Sequence, residues 1–144
     1  QKEQVLLEKV ENRSIITISE AMLFSSGSVQ LTQTASDILD KVGEVVSNYP
    51  DREIRVEGHT DTVGIALEFQ DRFKSNWELS CARSLSVLHH LIDSENFTPA
   101  KMVATGFGDT RPVGSNSSAD GRRRNRRAEI VIRPADVHVT ASAD

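Results

Sequence analysis

The sequence predicts an α/β fold: an α+β sandwich whose small mixed β-sheet is covered on one face by two main helices. Three observations point there. Short β-branched or alternating segments recur at Ser14–Ile18, Glu53–Glu57, Met102–Thr105 and Ala128–Ile132. Two longer stretches between them carry one apolar stripe each. Helices of that kind cannot stand alone, and a sheet is the simplest surface to bury them against.

Residues 1–12 are charged, with Val5, Leu6 and Val10 at near-helical spacing. They read as a short helix or linker, so the predicted organisation is an N-terminal segment 1–14, a domain 15–133 and a loose tail 134–144. Ser14-Ile15-Ile16-Thr17-Ile18 reads as the first strand, and Phe24-Ser25-Ser26-Gly27-Ser28 as a loop. Thr32 or Thr34 caps the first long helix. Its stripe is Ile38, Leu39, Val42, Val45, Val46 and Tyr49, and Pro50-Asp51 ends it. Glu53–Glu57 alternates as a half-buried strand, and Gly58 marks its end. Residues 62–74 are irregular. Ser75 and Glu78 fit a capping box opening the second long helix, with Cys81, Leu85, Leu88 and Ile92 as its predicted inner face. Thr98-Pro99 starts a short helical turn. Arg111 to Gly121 is a loop, and Pro134 stops the last strand. Strands joined through a helix are expected to pair in parallel, and the last strand to run antiparallel to a neighbour.

The 144 residues suit one domain with one core, and 38% hydrophobic with 26% charged residues is ordinary for a globular chain. No apolar run reaches the roughly 18 residues of a membrane span, and no signal-peptide pattern is present. Net charge is −4, although five of the six residues Arg122 to Arg127 are arginine. The block is short and lacks interleaved aromatics, so it is expected to pair with carboxylates such as Glu57, Asp109 or Glu129 rather than with nucleic acid. The single Cys81 excludes an intrachain disulfide and a multi-cysteine zinc site, and it is predicted to be buried. His59 and Asp61 lack the third ligand a metal site needs. His89, His90 and His138 bring no partner motif, so no metal and no cofactor is expected, and His59 is expected to order its turn through ring hydrogen bonds. The Asn-x-Ser/Thr triplets at Asn12, Asn96 and Asn116 are read as chance occurrences.

The chemistry lies in a polar set spread over several turns: Gly58-His59-Thr60-Asp61, the helix start Asn76-Trp77-Glu78-Leu79-Ser80-Cys81-Ala82-Arg83, and Arg122 to Arg127. Asp61 follows a strand end, the edge where ligands collect in open α/β sheets. Arg83 lies two turns into the second helix. An acidic and a basic side chain aimed at one pocket can take the two poles of an amino acid: Asp61 the ammonium, Arg83 the carboxylate. Thr60, Thr62 and Asn76 offer further hydrogen bonds. The competing reading is that Asp61 and Arg83 pair with each other or with caps. No His serves Ser80 as a base, so an amidase or peptidase is the weaker reading.

These residues resemble the OmpA-like peptidoglycan-binding domain. The marks are the Gly-His-Thr-Asp turn, Asn76-x-x-Leu79-Ser80-x-x-Arg83, the Gly106-Phe107-Gly108 turn with a nearby proline, and Asn125-Arg126-Arg127 before the last strand. The resemblance covers about residues 15 to 133. It implies non-catalytic binding of the diaminopimelate-containing stem peptide of peptidoglycan by Asp61 and Arg83. It also implies that the loop of Phe24, Ser26 and Gly27 helps hold the ligand's carboxylate. Thr60, Asn76 and Leu79 would shape the pocket. A narrower resemblance, to flagellar stator proteins of the MotB type, rests on Phe73-Lys74-Ser75-Asn76-Trp77-Glu78-Leu79-Ser80 and Leu23-Phe24-Ser25-Ser26-Gly27-Ser28. Lys74 stands where those proteins carry proline. That subgroup implies a periplasmic domain of a bacterial inner-membrane protein, a homodimer, and an ion-channel partner subunit reached through a membrane segment. The alternative is an outer-membrane anchor of the OmpA or Pal type.

Overall fold

In the computed structural model, residues 5–25, 27–95 and 97–134 are described. Five strands form one sheet: β1 (Val5–Val10), β2 (Arg13–Ser19), β3 (Arg52–His59), β4 (Met102–Gly106) and β5 (Arg127–Pro134). The helices are α1 (Glu20–Leu23), α2 (Gln33–Val46), α3 (Asn76–Glu95) and α4 (Ala119–Asn125), with 3-10 turns at Leu67–Phe69 and Pro99–Lys101. Strand order is β1-β2-β5-β3-β4. Only β3 and β4 are parallel; β5 lies in the middle, antiparallel to β2 and to β3. The mixed sheet and the two long helices agree with the sequence.

Alternation along the strands decides the two faces. Ile16, Ile18, Ile54, Val56, Ile130 and Ile132 point to one side and are buried under α2 and α3. From α2, Ala35, Leu39, Val42 and Val46 meet them, while Val45 stays 40% exposed. Thr32 is the α2 cap, its Oγ1 accepting from the Ala35 amide at 3.0 Å. At the other helix start, Ser75 Oγ accepts from the Trp77 amide at 3.1 Å and donates to the Glu78 carboxylate. That hydroxyl holds the exposed Glu78 carboxyl below its ordinary range.

Several expectations are corrected. Val5–Val10 is a strand, not a helix. It pairs antiparallel with β2 through a turn at Glu11 and Asn12, with Glu11 at φ 58°. As an edge strand exposed along its whole length it shows no burial alternation, and pairing to β2 overrides the weak helical spacing. The α2 crossover does not bring β2 beside β3: both are parallel in sense, but β5 separates them. Residues 119–125 form a short helix, capped by Ser118 Oγ accepting from the Gly121 amide at 3.0 Å. Cys81 is exposed, as is Leu85. Of the predicted face Leu88 is buried and Ile92 packs against the core, but the inner face as a whole is Ser80, Arg83, Ser84, Val87, Leu88 and Leu91, at i, i+3, i+4, i+7, i+8 and i+11. Its first two turns press polar groups, not apolar ones, against the sheet end. No helix among the described residues is long and apolar enough to cross a membrane. The predicted tail beyond Pro134 lies outside the described residues.

Candidate functional site

Two glycines set the position of α3. A Cβ on Gly58 would lie 2.2 Å from the Ser80 carbonyl oxygen, and one on Gly106 would lie 2.5 Å from the Cys81 amide. Only bare backbone at the ends of β3 and β4 lets the helix come this close. The approach is sealed by Ser80 Oγ, which accepts from the Gly108 amide at 3.0 Å. The loop leaving β3 is then tied down. The Thr60 amide donates to the Gly108 carbonyl at 2.8 Å, and Thr60 Oγ1 donates to the Asp61 carbonyl at 2.8 Å.

Beside this junction is an open cavity of about 200 Å³. Of the predicted site residues, Gly27, Thr60, Asp61, Asn76, Leu79 and Arg83 line it. Asp61 and Arg83 are 6% and 7% exposed, so neither charge is freely hydrated. They do not pair with each other. Asp61 Oδ2 accepts from Arg126 Nη1 at 2.7 Å, and its Oδ1 accepts from the Val63 amide at 2.9 Å. Arg83 forms an ion pair with Glu20 and donates to the Ser28 carbonyl from Nε at 3.2 Å and Nη2 at 3.1 Å. Arg126 Nε lies 3.8 Å from Glu20 Oε1. The result is an alternating series, Arg83, Glu20, Arg126, Asp61, all four lining the same cavity.

Glu20 and Arg126 were not singled out from the sequence as binding residues. Their partners stand 63 and 65 residues away along the chain, so only the sheet register reveals them. A faint signal existed: Arg126 belongs to the Asn-Arg-Arg mark, and Glu20 follows a strand end. Asn76 is a strap more than a donor to the cavity. Its amide nitrogen donates to the carbonyls of Asp61 at 3.2 Å and Val63 at 3.0 Å. Phe24 does not line the cavity; it lies under Arg83, whose guanidinium carbon is 5.0 Å from the ring centre. Gly27, at φ 68°, has no room for a side chain, because a Cβ would sit 2.2 Å from the Phe69 ring. Ser26 lies outside the described residues.

The arginine block divides: Arg127 is buried, Arg122 and Arg126 are half-buried, and Arg123 and Arg124 are exposed. Arg127 Nε donates to Glu129 Oε2 at 2.6 Å, and Arg123 pairs with Asp120. The expected partnership with Glu129 is therefore present. His59 departs from its expected role: among the described residues neither ring nitrogen has a hydrogen-bond partner. The ring instead stacks on Phe107, with centres 5.3 Å apart. A larger cavity of about 350 Å³ lies between α4 and strands β1, β2 and β5. None of the described predicted site residues lines it, and the smaller cavity remains the candidate because the buried acid and base both line it.

Residues 23–126 match the model of the OmpA family. The chain belongs to the OmpA family. As such it is a non-catalytic domain. This OmpA-family domain is 32% identical to Motility protein B of Bacillus subtilis over 120 residues, 83% of the chain and 45% of that protein. It spans about half the length of the curated relatives it matches. Among solved structures it is similar to a MotB-like protein from Desulfovibrio vulgaris, with TM-score 0.84 and 30% identity over 93% of this chain and 81% of that one. It is also similar to the cell wall anchor of the T6SS from Pseudomonas aeruginosa, with TM-score 0.81 and 34% identity over 91% of this chain and 88% of that one.

Proposed function

We propose that this domain anchors a larger protein to peptidoglycan by gripping the diaminopimelate end of a stem peptide without cleaving it. The carrying observation is the alternating charge series in one cavity. Each pole of a zwitterion can replace a protein charge of its own sign. A ligand carboxylate displaces Glu20 from Arg83, and a ligand ammonium displaces Arg126 from Asp61. Charge balance is preserved throughout, so exchange avoids the large cost of stranding a buried charge. The displaced groups, Glu20 and Arg126, are the more exposed pair, with side chains 24% and 35% exposed against 9% for Arg83 and 8% for Asp61. Thr60 and Asn76 hold the Asp61 loop, Leu79 gives the cavity an apolar wall, and the segment around Phe24 and Gly27 backs Arg83.

The likeness to Motility protein B and to a MotB-like structure supports a stator-type anchor. On that reading the chain is the periplasmic part of a bacterial inner-membrane protein, homodimeric, with an ion-channel partner subunit. The likeness to a secretion-system cell wall anchor supports the same binding act in another envelope machine. The sequence upstream separates these from an outer-membrane anchor.

Sedimentation with purified sacculi tests the site. The parent domain should co-sediment and release no soluble muropeptides. Asp61→Ala and Arg83→Ala should each lower the bound fraction at least tenfold, as expected for loss of a charge-assisted contact worth about 1.4 kcal/mol or more, with circular dichroism unchanged. Equal binding by both variants removes the cavity from the function, and released fragments would make the chain a hydrolase.

A further inference from the structure

We infer that Glu57, His59 and Glu129 form a binding site for a single zinc-class divalent cation, separate from the cavity described above. The sequence alone gave His59 no usable third ligand. The sheet register supplies it: Glu57 on β3 stands directly opposite Glu129 on β5, and His59 opposite Arg127. Glu57 and Glu129 alternate with Val56 and Ile130, so they lie on the face turned away from α2 and α3. One ligand atom from each of Glu57, His59 and Glu129 can be chosen so that all three lie within 4.8 Å of one another.

Two features make this more than a chance grouping. The first is that the His59 side chain is only 2% exposed while, among the described residues, both of its ring nitrogens lack a hydrogen-bond partner. Its Nε2 lies 3.5 Å from Glu57 Oε1, too far for a good hydrogen bond. A buried imidazole left this way costs free energy that a metal–nitrogen bond would recover. The second is that two carboxylates directly opposite across an antiparallel pair repel each other. Arg127 answers only part of that charge. Its Nε donates to Glu129 Oε2, while Nη1 and Nη2 each donate one hydrogen to a carbonyl, of Asn125 at 3.1 Å and Arg111 at 3.0 Å. Glu129 Oε1 and the Glu57 carboxylate remain to face a cation.

One imidazole and two carboxylates are a three-ligand set that zinc accepts, with the fourth position open. Tetrahedral ligation at about 2.1 Å places donor atoms about 3.4 Å apart. The three groups therefore need to close by up to about 1.4 Å, within reach of two glutamate side chains that are 14% and 17% exposed. Those partly exposed carboxylates are also the entry path.

Calorimetric titration of zinc chloride alone into the chelator-treated chain tests the site. One equivalent should bind, and the imidazole proton resonances of His59 should shift in step. Glu57→Gln, which keeps the side-chain shape, should weaken binding at least tenfold, and Glu129→Gln provides a second, independent variant. His89→Ala/His90→Ala and Cys81→Ser remove other metal-seeking side chains and should leave binding unchanged. The inference is overturned if zinc does not bind, if both glutamine variants bind as the parent does, or if the His89/His90 or Cys81 variants abolish binding. None of these outcomes bears on the sacculus assay, because the ligand set shares no residue with Asp61, Arg83, Glu20 and Arg126.

Discussion

Gly58→Ala should unseat α3 and, with it, the acid–base cavity. The added Cβ would stand 2.2 Å from the Ser80 carbonyl oxygen, about 1 Å short of ordinary contact, and the obstacle is backbone that cannot swing aside. Gly58 is not among the residues with positive φ, so alanine meets no conformational penalty there and the effect is steric alone. Relief requires the first turns of α3 to move about 1 Å away from β3, carrying Ser80 and Arg83. Overpacking of this kind costs about 1–3 kcal/mol, which for a domain of this size lowers the melting temperature by roughly 2–12 °C. Arg83 shifts relative to Asp61, so sacculus binding should fall even where the protein is still folded. Thermal denaturation followed by circular dichroism, and sedimentation well below the transition, measure the two effects. Gly64→Ala is the control: a Cβ there meets nothing within 4 Å, and its φ is not positive. That variant should be neutral or gain up to about 1 kcal/mol through the unfolded chain. If Gly58→Ala melts within about 1 °C of the parent, the close approach is not what positions the helix.

Three further perturbations have defined outcomes. Asn125 is fully buried, accepts from the amides of Val113 and Gly114, and donates to the Gly114 carbonyl and Asn116 Oδ1. Asn125→Ala should cost about 2–4 kcal/mol in chemical denaturation, because it strands several buried partners, and should speed amide exchange at Val113 and Gly114. Glu11→Gly should raise stability by roughly 0.5–1 kcal/mol, since glutamate pays for its left-handed φ of 58° and glycine does not; a loss would show that the turn needs the side chain. Ser75→Ala should let the Glu78 carboxyl rise toward 4.5 in a carbon-13 NMR titration. Because the folded pKa lies below the unfolded one, that group's contribution is present above about pH 4.5 and is lost as pH falls through the depressed value. The contribution should be smaller in the Ser75→Ala pH profile, since the Ser75 hydroxyl is the largest of its causes.

Legibility from sequence followed burial. Ile16, Ile18 and Val56 announce their strands because one side of each is more deeply covered than the other, whereas β5 is buried on both faces and is legible from its β-branched run. The α2 stripe is equally plain. β1 reads as a helix or linker in the sequence because an edge strand exposed along its whole length leaves no period-two trace. α4 lacks any apolar stripe and is held through Asn125 and the Ser118 cap, so periodicity could not find it. In α3 the apolar pattern picked Cys81 and Leu85 while the buried face began with Ser80, Arg83 and Ser84. The packing there is against glycine backbone, which accepts small or polar groups. Asp61 and Arg83 were legible as types in suitable places. Their actual partners, Glu20 and Arg126, were not, because residues 63 and 65 positions apart meet only through strand order.

The placement of β5 has a temporal meaning. Among the described residues it is the last strand in sequence and the middle one in space, so β1–β2 and β3–β4 remain two separate ribbons until it slots between them. Most of the sheet's pairing is thus long-range in sequence, which slows folding. Arg126 sits immediately ahead of that closing strand. The counter-ion of Asp61 therefore arrives with the final assembly step, and a nascent chain shorter than this point has neither a joined sheet nor a neutralised acid to offer the wall.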